Sequence, residues 1–249
     1  MIQRCFMLTL LVLLLSVCVP TNIGTVDVIP SQIEAVDPSP QAISSPTNTE
    51  QTASRVVEVP QGGAPTIDGI LSDEEWRGAY VESMRGGGEL YFLHDNGFLY
   101  VGIDAGARGL GSLCANWEDQ VEVLHSSAAL GGRYYQLAAE DWQLSEETDW
   151  CCRAGREGDM AESEWQGQLG SYGWAASLAN SGNRTQMEYQ IALRDEPFQL
   201  AVVYMSMSGS LHVWPVDLTD DCLDRDLISE ETPERLLFKP ETWPLFLMK

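Results

Sequence analysis

Apolar and polar residues alternate over short stretches after residue 88, with a period of two that is typical of half-buried β-strands. Residues 89–95 and 98–104 flank Asn96-Gly97, and this turn pair between two alternating stretches predicts a tight β-hairpin. Residues 98–103 carry apolar side chains on both faces, so we expect this strand to be buried on both sides. The pattern therefore begins with a hairpin whose second strand lies in the interior of the domain.

Further strands follow at intervals of roughly ten residues, separated by Gly- and Asn-rich turns. They cover residues 119–125, 133–139, 172–178, 186–193, 199–207 and 211–216. The turn-like residues 180–183 and 208–210 join two of the pairs as hairpins. No long amphipathic helix accompanies these strands. The pattern predicts an all-β fold, an antiparallel sandwich or barrel, of which we favour a jelly-roll-like β-sandwich.

One short helix is predicted ahead of the strands, near the start of the folded region. Asp68-Gly69 is a turn pair, because Asp bonds its own backbone and Gly accepts a positive φ. Ser72 followed three residues later by Glu75 forms a capping box, which predicts a helix beginning there. Trp76 falls in that helix, and we expect it to pack inward.

The first residues have the pattern of an export signal. Arg4 precedes an apolar run over residues 5–19, which is short for a membrane span of roughly twenty residues but fits a signal peptide. Leu15-Ser16-Val17-Cys18 resembles a bacterial lipobox, although Val17 stands where a small residue is usual. Two outcomes stay open: a lipid anchor at Cys18, or cleavage and release as a soluble protein.

Residues 20–57 are rich in Pro, Ser and Thr and lack aromatic residues, so we expect a disordered linker. Regular structure should begin with Val56-Val57-Glu58-Val59. Residues 58–249 form one domain of ordinary size, at the cell surface or outside the cell. The net charge of −23 argues against nucleic acid or anionic lipid as partner and is compatible with neutral sugars and calcium.

Four cysteines lie in this domain, at Cys114, Cys151, Cys152 and Cys222. Export permits disulfides. Because adjacent cysteines would strain to bond each other, we expect Cys151 and Cys152 each to pair elsewhere, with Cys114 and Cys222. Which joins which stays open.

Residues 140–170 show no lasting period and read as a long loop, stapled by the two adjacent cysteines. Trp142, Trp150 and Trp165 lie in it among many acidic residues. A long loop in a compact domain is usually functional or disordered, and three tryptophans argue against disorder.

Several motifs, taken together, resemble those of the family 9 carbohydrate-binding modules and their DOMON-like relatives over residues 64–240. They are Ile67-Asp68-Gly69 with Asp73-Glu74-Glu75-Trp76, residues 99–104, residues 117–123, Gly173-Trp174-Ala175-Ala176, residues 187–193 and Val213-Trp214-Pro215. Two departures are Gln190, where an acidic residue is common, and Leu193-Arg194 in place of an Ile-Pro ending. The resemblance implies a β-sandwich that binds glycan ends without cleaving them, often with structural calcium; some relatives bind haem.

Sugar rings are bound by aromatic side chains on their apolar face and by polar side chains around their hydroxyls. The candidate platforms are the tryptophans we place in loops or at strand ends, Trp117, Trp142, Trp150 and Trp165. Trp76, Trp174 and Trp214 fit core positions instead. We therefore expect an oligo- or polysaccharide partner, with a role linked to carbohydrate catabolism.

Calcium needs several converging oxygens. Asp217, Asp220 and Asp221, followed by Asp224 and Asp226, crowd one segment and are the candidate ligands. The alternative is a solvated acidic loop, because charge runs are usually exposed. We expect no cofactor to be required.

Catalysis has little support in the sequence. No carboxylate pair can be chosen for glycoside hydrolysis, and the three histidines, His94, His125 and His212, stand in no catalytic motif. We expect a protein that is not an enzyme. The alternatives are a structural or interaction module at the cell surface, an orphan hydrolase, or a haem-binding redox domain with a His–Met axial pair using Met160, Met187, Met205 or Met207.

Overall fold

The computed structural model describes residues 55–148, 150–152, 162–228 and 232–249. The expected signal peptide, the cysteine of its lipobox and nearly all of the expected linker lie outside these residues. Regular structure begins at Val56, as the sequence predicts, and this strand contains the expected domain start at residue 58.

Strands dominate the described part of the chain. They are β1 (Val56–Val59), β2 (Tyr80–Ser83), β3 (Glu89–Asp95), β4 (Phe98–Asp104), β5 (Gly109–Trp117), β6 (Gln120–Ser126), β7 (Leu130–Ala138), β8 (Asp141–Glu147), β9 (Trp174–Ala176), β10 (Gln186–Ala192), β11 (Phe198–Ser206), β12 (Leu211–Trp214), β13 (Arg235–Leu236) and β14 (Leu245–Met248). One α-helix, α1 (Glu162–Tyr172), and three short 3₁₀ turns, Asp221–Leu223, Arg225–Ile228 and Pro240–Thr242, complete it.

Two sheets pack face to face, which confirms the all-β sandwich. The nine-stranded sheet has the order β1-β14-β11-β5-β6-β7-β8-β13, with β12 also paired to β11. The five-stranded sheet has the order β2-β3-β4-β10-β9. Every pairing is antiparallel except that of β1 with β14. Antiparallel order follows from short turns, since two-residue hairpins can join only antiparallel neighbours.

The predicted hairpin between β3 and β4 is confirmed. Asn96 and Gly97 both have positive φ, 47° and 82°, as a type I′ turn requires. The hairpin of β11 with β12 across residues 208–210 is confirmed as well. These tight turns fix the strand register and so decide which side chains face the interior.

A central core fills the space between the sheets. Leu99, Val101 and Ile103 of β4 point into it, while Tyr100 packs on the opposite face of the same strand, so β4 is buried on both sides as expected. The core tryptophans expected from the sequence are Trp76, Trp174 and Trp214, and all three are buried.

An outer core lies on the other face of the nine-stranded sheet. Residues 215–228 and 232–243 lie over that face and cover Cys114, Val121 and Val203 with Phe238 and Trp243. Asp220 holds this segment in place. Its Oδ1 accepts a hydrogen bond from the backbone of Cys222 (3.0 Å), and its Oδ2 accepts from Lys239 N (2.9 Å) and Trp243 Nε1 (2.7 Å).

Two predictions of local structure were wrong. Ser72 and Glu75 do make the capping contacts, with Ser72 Oγ donating to Glu75 Oε2 at 2.8 Å, but the chain turns away at Gly78 (φ 86°) before a helix forms. The region expected as one long loop contains β8 and α1 instead. Trp142 lies in β8 and Trp165 in α1.

The disulfide prediction was also wrong. The bonds join Cys114 to Cys222 and Cys151 to Cys152. Cys114 belongs to the outer core, whereas Cys151 and Cys152 pack against the central core on the opposite face of the sheet. The sheet itself therefore separates the two sets, and the adjacent cysteines can reach only each other.

Candidate functional site

A cleft of about 350 Å³ opens beside the edge strand β9 of the five-stranded sheet. Three parts of the chain converge on it: residues 65–68, the end of β9 with residues 177–178, and Trp165 of α1. Gln190 and Ser181 complete the lining. Small-molecule sites usually measure about 300–1,000 Å³, so the volume is that of a compact ligand.

Gln190 reaches the cleft because of its register in β10. Its neighbours Tyr189 and Ile191 belong to the central core, so the alternation of the strand turns Gln190 to the outer face. The residue is 7 % exposed, and its carboxamide has no hydrogen-bond partner in the part of the chain that the structure describes. A carboxamide that is not fully shielded and has no protein partner can both donate to and accept from a ligand in the cleft.

Trp165 of α1 also lines this cleft. The indole is half-buried, and its Nε1 is fully shielded without a hydrogen-bond acceptor among the described residues. A half-exposed indole face beside a free carboxamide combines an apolar surface with hydrogen-bonding capacity.

Ser177, Asp68 and Thr66 supply the remaining polar groups. Ser177 Oγ accepts from the backbone N–H of Glu188 (2.9 Å), which leaves its hydroxyl hydrogen to donate. Asp68 Oδ1 accepts from Ile70 N (2.9 Å), and its other oxygen has no described partner. Thr66 Oγ1 donates to Glu75 Oε1 (2.7 Å). The lining contains no Lys or Arg.

Glu188 positions one wall of the cleft. Its Oε2 accepts from the backbone N–H groups of Asp68 (3.0 Å) and Gly69 (2.7 Å), and its Oε1 accepts from the indole of Trp76. The side chain is wholly buried, and burial raises the pKa of Glu188 to about 7 against the opposing pull of these donors. Residues 65–69 are thereby tied to β10.

Close backbone packing holds the same wall against the floor. Gly69 has φ 82°, and a Cβ on Gly182 would come within 2.5 Å of the carbonyl oxygen of Asp68. Glycine is therefore required at these two positions.

Helix α1 forms the opposite wall and is held partly by the adjacent cysteines. Sγ of Cys151 lies 3.0 Å from Oε1 of the buried Gln168, and Sγ of Cys152 lies 3.7 Å from the carbonyl oxygen of Glu164. Cys151 is paired in turn with Leu130 at the start of β7.

Of the four tryptophans predicted to bind sugar, Trp165 alone lines this cleft. Trp117 is 3 % exposed, stacks on Phe198 at 4.2 Å and lies beneath the guanidinium of Arg194. Trp142 is 5 % exposed and donates to the carbonyl oxygen of Phe238 (3.2 Å). The prediction that Trp117 and Trp142 offer exposed ring faces to a sugar is wrong, because both indoles are buried by neighbouring side chains.

Trp150 is half-buried at a different place. Its ring covers Gly131, on which a Cβ would come within 2.7 Å of it, and the guanidinium of Arg133 lies 5.2 Å from its centre. His125 packs edge-on against it at 5.4 Å. These contacts identify Trp150 as a cover for buried polar side chains.

The predicted calcium ligands have other partners. Asp220 accepts the three N–H groups that fasten the C-terminal segment, and Asp221 Oδ2 accepts from Leu237 N (2.6 Å). Asp217 is exposed. Among the described residues no group of three or more His, Cys, Asp or Glu is placed to hold a metal ion. These carboxylates accept backbone donors, which gives Asp220 and Asp221 structural partners, while calcium binding by Asp217, Asp220 and Asp221 stays a prediction.

The three histidines are also engaged in hydrogen bonds. His94 Nε2 bonds the carbonyl oxygen of Lys249, His125 Nδ1 bonds Ser112 Oγ, and His212 Nδ1 bonds the carbonyl oxygen of Gly87, each at 2.8 Å. Burial and the nearby Arg133 lower the pKa of His125 to about 3, so this ring is neutral.

Sequence reasoning missed most of the cleft. Gln190 was noted only as a departure from the usual acidic residue, and that substitution was the one available signal. In this part of the chain the sequence predicts only the turn pair Asp68-Gly69, and nothing in the pattern of residues 65–68 shows that β9 and α1 lie close to them.

Comparison with known proteins adds no assignment. No protein-family description, curated protein or solved structure matches the chain. Within the described residues, no helix is long and apolar enough to cross a bilayer. The fold and site define a class: an all-β sandwich with a ligand-sized cleft at the edge of its smaller sheet.

Proposed function

We propose that the protein binds carbohydrate without cleaving it, and that the cleft beside β9 is the binding site. The observation that carries this proposal is a ligand-sized cleft in which the carboxamide of Gln190, without a hydrogen-bond partner among the described residues, lies together with the half-buried indole of Trp165. A sugar offers the matching set, since its ring has an apolar face for the indole and hydroxyls that both donate and accept.

Each cleft residue then has a role. Trp165 provides the stacking surface, and Gln190 donates to one hydroxyl and accepts from another. Ser177 and Asp68 bond hydroxyls at the rim. The carboxylate of Asp68 and the lack of cationic lining residues favour a neutral sugar over an acidic one.

The sequence supports the same proposal from a different direction. Its motifs resemble those of family 9 carbohydrate-binding modules, and the export signal would place the domain where glycans occur. We propose that the linker holds the domain away from the cell surface to which Cys18 would anchor it.

The test is a glycan panel measured by calorimetry and intrinsic tryptophan fluorescence. Neutral oligosaccharides should bind, and Trp165→Leu or Gln190→Leu should weaken binding about tenfold or more, which corresponds to about 1.4 kcal/mol. Tyr172→Leu is the matched control for the first variant, because Tyr172 is an exposed aromatic residue on the same helix, outside the cleft. Gln136→Leu, at an exposed position on β7, is the control for the second.

Two results would contradict the proposal. One is the absence of binding to every glycan in a broad panel. The other is binding that both cleft variants leave unchanged, since the ligand would then sit elsewhere.

A further inference from the structure

Helix α1 packs against β9 but buries little of its own surface from Ser163 to Tyr172. From Ser163 to Tyr172 only Gln168 is buried, and the remaining positions are exposed or half-exposed. Gly167 and Gly170 face open space, where a Cβ would meet no atom within 4 Å. Glycines weaken a helix interior, and a helix without a broad apolar face depends on tertiary contacts. The position of Trp165 therefore depends on whatever anchors α1.

The disulfide between Cys151 and Cys152 is part of that anchor. Sγ of Cys151 lies 3.0 Å from Oε1 of Gln168, the one buried side chain from Ser163 to Tyr172. Sγ of Cys152 lies 3.7 Å from the carbonyl oxygen of Glu164. On its other side, Cys151 exchanges two backbone hydrogen bonds with Leu130, of 3.1 and 3.0 Å. The disulfide thus sits between β7 and α1.

The two disulfides of the domain differ in their exposure to a reductant. Cys114 and Cys222 are 0 % and 2 % exposed within the outer core. Cys151 and Cys152 are half-exposed, and Cys152 has φ 61°, in the left-handed region that non-glycine residues seldom adopt. Exposed and strained disulfides are the labile ones, because thiol–disulfide exchange needs access to a sulfur atom.

We propose that Cys151–Cys152 is a redox-sensitive latch that holds α1, and with it Trp165, over the cleft. This inference rests on the proposed function for its effect on ligand affinity, while the latch itself rests on the disulfide and its contacts. In the oxidising environment expected outside the cell the latch is closed.

Opening requires a dithiol reductant. One thiolate of the reductant attacks Sγ of Cys151 or Cys152, the S–S bond breaks, and the leaving sulfur takes up a proton as a thiol. The second thiol of the reductant then displaces the mixed disulfide and releases the other protein sulfur as a thiol. The protein gains two electrons and two protons, and the reductant leaves as a cyclic disulfide.

Reduction frees the backbone of residues 151–152 from the ring that the disulfide closes. Cys152 can then leave the left-handed region, and the sulfurs no longer stay fixed against Gln168 and Glu164. Because Gln168, the one buried side chain from Ser163 to Tyr172, lies against the disulfide, Trp165 should lose its defined place in the cleft. Ligand affinity should fall while the sandwich, held by the buried Cys114–Cys222 bond, stays folded.

The first experiment follows the latch without any ligand. The full exported chain is titrated with dithiothreitol, free thiols are alkylated, and peptides are identified by mass spectrometry. Cys151 and Cys152 should be alkylated at a reductant concentration that leaves Cys114 and Cys222 bonded. Amide hydrogen exchange should become at least tenfold faster in α1 and stay unchanged in β4 and β10. Opening of both disulfides together, or unchanged exchange in α1, would overturn the latch.

The second experiment measures glycan affinity of the oxidised protein, the selectively reduced protein and the Cys151→Ser/Cys152→Ser variant, with circular dichroism as the check on folding. Affinity should fall about tenfold in the reduced protein and in the variant. Equal affinity in all three would overturn the latch and leave the proposed function standing. An oxidised protein that binds no glycan would overturn the proposed function. The rate of amide hydrogen exchange in α1 would then still show whether the disulfide holds the helix.

Discussion

The indole Nε1 of Trp76 donates a 2.9 Å hydrogen bond to Oε1 of Glu188, across 112 residues of sequence. The second oxygen of Glu188 accepts from the backbone of Asp68 and Gly69. Three donors thus converge on one fully buried carboxyl group. This arrangement joins the opening motif of the domain to β10, and with it the 65–68 wall of the cleft to its floor.

Replacing Glu188 with Gln should destabilise the protein. Glutamine keeps one acceptor oxygen and places an NH₂ group against a remaining N–H donor, so at least one buried donor loses its partner. The expected loss in the free energy of unfolding is about 1–3 kcal/mol, measured by urea denaturation. Glu74→Gln, at an exposed position, is the control and should change little. A Glu188→Gln variant as stable as the wild type would show that the three hydrogen bonds contribute nothing net.

Glu188 should also make stability depend on pH. Its pKa is raised from 4.5 to about 7 by burial, so between these values the folded state keeps a proton that the unfolded state has released. Its contribution to stability is therefore complete below pH 4.5 and is lost as the pH rises through 7. The difference in unfolding free energy between wild type and Glu188→Gln should fall with rising pH across this window, by at most about 1.4 kcal/mol per pH unit. A flat or rising difference would contradict the assignment.

His125 should make the protein less stable at acid pH, whereas Glu188 makes it less stable as the pH rises. Burial lowers its pKa from 6.5 to about 3, so below pH 6.5 the unfolded chain binds a proton that the folded ring refuses. Stability should fall as the pH drops from 6.5 towards 3, with a slope of at most about 1.4 kcal/mol per pH unit. In His125→Asn, guanidinium denaturation at several pH values should show that slope reduced. An unchanged slope would mean that other groups cause the acid sensitivity.

The sequence predicted the strands in which apolar and polar residues alternate clearly and a turn pair marks the end. Residues 89–104 alternate cleanly around Asn96-Gly97, and β3 and β4 form there. Strand β5 was missed, although it lies at the centre of the nine-stranded sheet, because Gly109 and Gly111 interrupt it and both of its faces are buried. A strand covered on both sides shows no alternation, and residues 215–228 and 232–243, which cover its outer face, lie about a hundred residues further along the chain.

The sequence analysis chose candidate tryptophans because they lie in predicted loops or at strand ends. This criterion fails here, because a second core on the outer face of the nine-stranded sheet also buries side chains. Trp142 follows a turn in the sequence, yet it lies in β8 beneath Phe238. Trp165 was correctly placed outside the strands, but its half-exposure depends on a helix that the composition of residues 162–172 does not indicate. Trp165 and Gln190 line one cleft because α1 packs against β9 and β9 pairs with β10. Local periodicity in the sequence does not predict such contacts between distant elements.

Asp220 should be far more important for stability than its neighbour Asp217. Asp220→Ala leaves three donors without an acceptor, two backbone N–H groups and the indole of Trp243, beneath the C-terminal segment. Each unpaired buried donor costs about 1–3 kcal/mol, partly relieved where water enters. We expect a loss of at least about 2 kcal/mol for Asp220→Ala in thermal denaturation and little change for the exposed Asp217→Ala. Comparable effects of the two variants would contradict the role given to Asp220.

Gln190 should lower the stability of the ligand-free protein. The residue is 7 % exposed and its carboxamide has no hydrogen-bond partner among the described residues, whereas Leu has a similar volume without polar atoms to desolvate, so Gln190→Leu should raise the unfolding free energy by up to about 1 kcal/mol. The same substitution should weaken glycan binding, since the carboxamide is the group that the ligand would pair. The same ligand concentration should therefore stabilise the wild type more than the variant, measured as the shift in melting temperature. A variant less stable than the wild type without ligand would mean that the carboxamide is already satisfied, and the strongest reason for placing a ligand in this cleft would be gone.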